Sequence, residues 1–212
     1  MLRQFENCSI PMTTANKITI ARILMIPVFV LLAIYYGQSV VEGAPKEWQR
    51  IAAIIVFVVA SASDGLDGYI ARHYNQRSRL GVILDPIADK GLLLSAIITL
   101  SFSKWHYEFP LWFPVLVIAR DLVVVTGALL LHYFVGNVHV RPTIPGKIAT
   151  ALMMAAIAGA MLQIKASFTL WGGTFLFLDA LVIVTGFFTF VSGAGYVIDG
   201  IRQLQAGGHT QA

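Results

Sequence analysis

Six stretches of this chain, each close to the length an α-helix needs to cross a bilayer, leave it few ways to fold: roughly Ile18–Gly37, Trp48–Asp67, Asp85–Ser103, Pro110–Phe134, Ile148–Ile164 and Thr174–Ile198. About 20 mostly apolar residues in a helix cover the roughly 30 Å of hydrocarbon. The composition agrees, with 57% of 212 residues hydrophobic and 12% charged, whereas charged residues make up about a quarter of an ordinary soluble domain. The expected fold class is therefore an all-α integral membrane protein with six transmembrane helices. Leu2 to Lys17 is polar and mixed, without the basic start, short apolar core and small-residue cleavage site of a signal peptide, so the first span is expected to be retained.

Six spans put both termini on one side. Placing the N-terminus in the cytoplasm assigns Arg3, Lys17, Arg22, Arg72, Arg77, Arg79, Arg141, Lys147 and Arg202 to cytoplasmic segments, against Lys46, Arg50, Lys104 and Lys165 outside. That asymmetry predicts N-in and C-in. Trp48, Trp105, Trp112 and Trp171 then fall near the outer ends of spans, as an aromatic belt would. Glu42, Lys46, Glu47 and Glu108 are expected to be solvated in outer loops, with His106 and His139 loop residues too. Connections such as Glu42–Pro45, Arg141–Gly146 and Gly172–Gly173 are short and rich in turn formers, with no repeat or long linker. One domain over 18–200 is expected, between a juxtamembrane segment 1–17 and a tail 201–212. The formal charge of +4 is carried beside apolar spans, which favours membrane lipid head groups or phosphates as partners and excludes nucleic acid. A single cysteine, Cys8, excludes an intrachain disulfide and a Cys/His metal cluster.

Against this oily background Asp64, Asp67, Gly68, Ala71, Arg72, Gly81, Asp85 and Asp89 fall on the pattern D-x-x-D-G-x-x-A-R-x8-G-x3-D-x3-D. A carboxylate carried into hydrocarbon costs at least about 2 kcal/mol, so four on neighbouring segments call for cations or a polar cavity. Asp64 and Asp67 are three residues apart and Asp85 and Asp89 four apart, so on helices each pair projects from one face. A turn across Asn75 to Arg79 would bring the two faces together. Oxygen-only donors select a hard divalent ion, Mg2+ or Mn2+ or Ca2+, over zinc, and four carboxylates suit two ions better than one. Paired ions commonly stabilise the attacking and departing oxygens at phosphorus, which points to phosphoryl chemistry in a polar cavity open to the cytoplasmic side. Small residues at Gly68 and Ala71 let a ligand approach the backbone, and Arg72 can fork onto a phosphate. Helix packing competes as an account of the glycines. Asp85 precedes Pro86, so a helix-start role competes with metal ligation there.

Arg120 lies within the fourth span and must be paired or functional; an ion pair with Asp121 or with an acid of the cluster stands beside ligand binding. With Arg141 and Lys147 in the following loop, a phosphate-bearing acceptor accounts for all three. Pro27 is expected to bend the first helix, the fifth to serve as scaffold through Gly159 and its alanines, and Asp179 to be an interfacial or hydrogen-bonded acid. A cation transporter is the alternative of another class.

The eight-residue motif resembles the signature of the CDP-alcohol phosphatidyltransferases, integral membrane enzymes of phospholipid synthesis. The resemblance extends to Asn16, Thr19, Arg22 and Pro27, to the run Asp85–Lys90, to Arg120-Asp121 and to Gly146-Lys147, and is closest to the phosphatidylglycerophosphate and cardiolipin synthase branch. It implies transfer of a phosphatidyl group from CDP-diacylglycerol to an alcohol with release of CMP. Asp64, Asp67, Asp85 and Asp89 would hold two divalent ions, Mg2+ or Mn2+, and Asp89 would be the general base. Gly68, Ala71, Arg72 and Gly81 would contact the CDP-lipid, and Arg120, Lys147 and Arg141 the acceptor. It further implies a homodimer in the inner membrane of a bacterium. Glycerol-3-phosphate is the first-ranked acceptor. Phosphatidylglycerol is the alternative, because Arg120-Asp121 followed by the uncharged run Leu122–Leu131 departs from the Arg-Glu and further basic residue of many phosphatidylglycerophosphate synthases.

Overall fold

A computed structural model describes residues 14–73, 79–135, 144–164, 166–170 and 173–208. Each apolar stretch becomes a helix: α1 Thr14–Val41, α2 Glu47–His73, α3 Arg79–Phe102, α4 Trp112–Val135, α5 Ile144–Met161 and α6 Phe177–Gly208. Between α5 and α6 a small antiparallel hairpin pairs β1 Ser167–Leu170 with β2 Gly173–Leu176, Phe168 opposite Phe175 and Thr169 opposite Thr174. The all-α expectation therefore holds for the bundle and misses this cap. Residues 174–176, assigned above to the sixth span, belong to β2.

α1 and α2 outrun their apolar windows at both ends, α3 and α5 begin before theirs, and α4 and α6 end beyond theirs. Hydrocarbon length limits only the apolar part, while the backbone ladder continues into polar flanks. At Asp85 this removes the competing helix-start reading: α3 already begins at Arg79, so Asp85 stands inside the helix and has no orphan first-turn amides to cap. α1 runs uninterrupted through Pro27, whose ring removes one backbone donor that the rest of the 28-residue ladder tolerates.

α1 packs against α2 and α3, and α6 against α4 and α5, while α3 also touches α4 and α5 and so joins the two halves. Their shared core runs through Phe29, Ala33 and Tyr36 of α1, Phe57 and Ala60 of α2, Leu92, Ala96, Ile97 and Leu100 of α3, and Leu178 and Val182 of α6. α5 supplies Ala149, Met153, Ala156 and Ala160, a spacing that returns to one face and brings backbones close. A Cβ at Gly159 would come 2.6 Å from Leu178 Cδ2 of α6, so the scaffold role expected of α5 depends there on having no side chain.

Outside this core the bundle turns large apolar side chains outward on nearly every helix, among them Leu24, Leu31, Val58, Val115, Phe187 and Phe190. Water would penalise so much contiguous apolar surface, whereas acyl chains do not. Among the described residues, three segments are long and apolar enough to cross a membrane: Lys17–Val41, Ile144–Met161 and Phe177–Gly200. The chain is an integral membrane protein.

At the end of the bundle away from the acid motif the turns fold back into the core. Trp105 is buried, donates Nε1–H to Ala33 O at 3.0 Å and packs edge-on against Tyr36 at 4.7 Å. It is thus a core residue rather than part of a belt, since its indole finds a carbonyl partner inside. Trp48 and Trp112 are exposed as a belt requires, and Trp171 lies outside the described residues. Glu47, expected to be merely solvated, opens α2. It takes a 2.7 Å ion pair from Arg50 and accepts the Tyr36 hydroxyl at 3.5 Å.

Candidate functional site

Asp64, Asp67, Gly68, Ala71 and Arg72 occupy the C-terminal part of α2, and Gly81, Asp85 and Asp89 the N-terminal half of α3. The helical backbone puts each pair of acids on one face of its own helix, at adjacent turns. α2 and α3 touch one another and share α1 as a neighbour. The side chains of these eight residues lie outside the described residues, as do residues 74–78, which hold most of the turn expected between the two pairs. Arg79 has already joined α3.

Next to the first acid pair the described residues do speak. Arg22 of α1 is fully buried, and its Nε donates to Ser63 Oγ at 3.3 Å, one residue before Asp64. Ser63 in turn donates to Ala60 O at 2.7 Å. Thr19, one turn earlier on α1, is equally buried. Arg22, counted above with the cations of the cytoplasmic segments, is thus held inside the bundle. A guanidinium removed from water is retained only where polar or charged groups satisfy it, so α1 contributes a fixed positive charge to the flank of the motif.

A second polar group lies at mid-depth between α3, α4 and α6. Arg120 donates from Nη1 to Asp121 Oδ1 at 2.8 Å and from Nη2 to Ser192 Oγ at 3.1 Å, with its guanidinium carbon 5.7 Å from the centre of the Tyr196 ring. Lys90, which directly follows Asp89, places Nζ 2.9 Å from the same Asp121 oxygen. The pairing alternative raised for Arg120 is therefore realised, and Asp121 serves two cations at once. Beneath them is a cavity of about 70 Å³ lined in part by Lys90, Arg120, Asp121, Thr150 and Thr189. Lys147 is exposed in the first turn of α5, and Arg141 lies outside the described residues.

Sequence reasoning gave no site role to Lys90 or Asp121 and, within the apolar span of α6, considered Asp179 alone. A signal was present. Thr185, Thr189, Ser192 and Tyr196 recur at intervals of four, three and four through an otherwise apolar helix, which is a polar stripe on one face. Thr185 and Thr189 turn their hydroxyls onto carbonyls one turn back, Leu181 O at 2.6 Å and Thr185 O at 2.8 Å, while Ser192 and Tyr196 meet Arg120. At the far end Tyr107 donates its hydroxyl to Asp179 at 2.9 Å, which fits the hydrogen-bonded acid expected there. Burial, and then the bond and charge of Asp179, push the Tyr107 hydroxyl well above its ordinary value.

Comparison with known proteins adds a separate line of support. The family model for CDP-alcohol phosphatidyltransferase matches residues 12–191. A CDP-diacylglycerol glycerol-3-phosphate 3-phosphatidyltransferase of Bacillus subtilis is 35% identical over 185 residues, covering 85% of this chain and 91% of its own. A probable phosphatidylglycerophosphate synthase of Mycobacterium tuberculosis is 32% identical over 193 residues, covering 90% and 82%. A CDP-diacylglycerol glycerol-3-phosphate 3-phosphatidyltransferase of Escherichia coli K12 is 31% identical over 147 residues, covering 66% and 72%.

Proposed function

This chain belongs to the CDP-alcohol phosphatidyltransferase family, and from that premise we propose that it transfers the phosphatidyl group of CDP-diacylglycerol to glycerol-3-phosphate, yielding phosphatidylglycerophosphate and CMP. The observation that carries the reading is the placement of the acid motif on α2 and α3, with Lys90 continuing α3 directly from Asp89 into the cation group of Arg120. Donor chemistry and acceptor chemistry thereby share one helix. The names of the relatives favour glycerol-3-phosphate as acceptor. Phosphatidylglycerol, the cardiolipin synthase alternative, is separated by experiment.

The donor set fits a pair of hard divalent ions. Asp64, Asp67, Asp85 and Asp89 offer only oxygen, and their spacing on helical backbone groups them in pairs. When bound, Mg2+ or Mn2+ supplies positive charge where negative charge builds on the transferring phosphoryl group. Asp89 takes the proton of the acceptor hydroxyl, and CMP departs as the new phosphoester forms. Arg72 neutralises the diphosphate, while Gly68, Ala71 and Gly81 leave room for the nucleotide. Arg120, Lys147 and Arg141 hold the phosphate of the acceptor and turn its hydroxyl toward Asp89. Six spans, N-in and C-in, with the cavity open to the cytoplasm of a bacterial inner membrane, complete the proposal, as does the single domain 18–200. A homodimer is included on the family resemblance alone.

The test offers CDP-diacylglycerol in lipid bilayers with glycerol-3-phosphate, phosphatidylglycerol, inositol phosphate or serine in turn, and identifies products by mass. Phosphatidylglycerophosphate with stoichiometric CMP, abolished by a chelator and restored by Mg2+ or Mn2+, is expected. Cardiolipin as the main product would replace the acceptor, and cation uptake without CMP release would replace the whole scheme.

A further inference from the structure

Lys90, Arg120 and Asp121 form a charge group with more cations than it needs for structure. Lys90 Nζ and Arg120 Nη1 lie 2.9 and 2.8 Å from one and the same oxygen, Asp121 Oδ1. Consecutive helical residues leave the axis about 100° apart, so Arg120 and Asp121 start from different faces of α4. Asp121 meets Lys90 of α3. Arg120 runs along α6, where a Cβ on Gly193 would stand 3.3 Å from its Cγ, and reaches back to the carboxylate. Ser192 and the Tyr196 ring hold the guanidinium on that side.

Charge and hydrogen bonding both leave a remainder. Among the described side chains, one carboxylate between two cations gives this group a net charge of plus one. Arg120 Nε–H is buried with no acceptor among the described residues, a donor whose desolvation would be left uncompensated at a cost of about 1–3 kcal/mol. Arg120 also lines the cavity of about 70 Å³, which leaves space beside the group. Surplus positive charge, an unused donor and adjoining space together describe a place prepared for an anion stronger than the carboxylate already there.

We propose that Asp121 is a surrogate anion and the specificity-determining residue of the acceptor site, occupying the Lys90–Arg120 pair until a phosphomonoester displaces it and refusing phosphodiesters. The inference rests on reading Arg120 as part of the acceptor's phosphate site. A phosphomonoester carries about −1.5 to −2 at neutral pH. A phosphodiester, like the aspartate, carries a single negative charge. Exchanging the carboxylate for a dianion strengthens the attraction to both cations, whereas exchanging it for a diester gains no charge and must still break two formed contacts. Glycerol-3-phosphate passes this filter and phosphatidylglycerol does not.

The experiment uses the full-length enzyme in lipid bilayers at saturating CDP-diacylglycerol, with inorganic phosphate and dimethyl phosphate as inhibitors against glycerol-3-phosphate. Wild type should be inhibited competitively by phosphate and hardly by dimethyl phosphate. Asp121→Asn should bind phosphate about ten-fold more tightly, the size of effect typical of a close charge pair, and should become sensitive to dimethyl phosphate. Asp121→Glu should restore the wild-type pattern. An unchanged KM for CDP-diacylglycerol reports that the variants are folded. Weaker or unaltered phosphate inhibition in Asp121→Asn, with wild type behaving as expected, would overturn the surrogate role and leave Asp121 as a brace for the two cations. Phosphate that fails to compete with glycerol-3-phosphate in wild type would instead overturn the acceptor-site reading, and this inference with it.

Discussion

Replacing Arg120 by alanine removes the surplus charge from the mid-depth group without touching the acid motif. Lys90 remains paired with Asp121 at 2.9 Å, so the group becomes neutral, and an incoming phosphate meets one cation that is already satisfied. A hydrogen bond to a charged group contributes about 1.5–3 kcal/mol. Arg120 has at least one donor free for a ligand, Nε–H, and a second if Asp121 is displaced from Nη1. Taking about 3 kcal/mol as the net loss after residual solvent screening, at about 1.4 kcal/mol per factor of ten, kcat/KM for glycerol-3-phosphate should fall about 100-fold. The KM for CDP-diacylglycerol should stay within about three-fold, because on the proposed reading Arg120 acts on the acceptor only. Arg120→Lys keeps the charge but not the fork that spans Asp121 and Ser192, and should recover about a tenth of the loss on a logarithmic scale or more. The assay is initial-rate CMP release with each substrate varied in turn. Equal losses toward donor and acceptor would refute the reasoning and reduce Arg120 to a clamp between α4 and α6.

Two further outcomes follow. Asp89→Asn should leave the protein folded and CDP-diacylglycerol binding largely intact while CMP release disappears, and normal turnover in that variant would remove Asp89 as the base. Tyr107 is an acid whose proton is held more tightly in the folded state than its ordinary value of 10.0. The stabilisation it gives is complete below about pH 10 and is lost as pH rises further. Thermal unfolding in detergent should therefore steepen its decline above about pH 10. Tyr107→Phe should lower stability by about 1–3 kcal/mol at neutral pH, through loss of the bond to Asp179, and flatten that decline. A variant as pH-sensitive as wild type would place the alkaline transition elsewhere.

The six helices were legible because hydrocarbon thickness imposes a minimum run of apolar residues, and such runs survive in the sequence whatever the helices later pack against. Their ends were not. Arg79 to Leu84 joins α3 although the apolar window was placed from Asp85, since the backbone ladder of a helix is not limited to its apolar run and here continues through Gly81 and Pro86. Of the hairpin Ser167–Leu176, Gly172–Gly173 was read as a connection and residues 174–176 as part of the sixth span, because four-residue strands carry too little periodicity to declare themselves. The acids of α2 and α3 stood out because ionisable residues inside apolar stretches are expensive. Lys90 and Asp121 did not, because a charge beside a motif reads the same whether it faces water or a partner helix.

Sequence alone thus determined the membrane class, the number of helices and the family, all of which depend on local composition or on spacing along a single chain. Tertiary structure decided which charges are held and by what. Arg22 is buried against Ser63, Trp105 turns into the core onto Ala33, and Asp121 is shared by cations from α3 and α4 beside two residues of α6. Those partners are 41, 72, 31 and 72 residues away along the chain for Arg22, Trp105, Lys90 and Ser192 in turn. Only the packing of one helix on another, which no local pattern encodes, sets which of them meet.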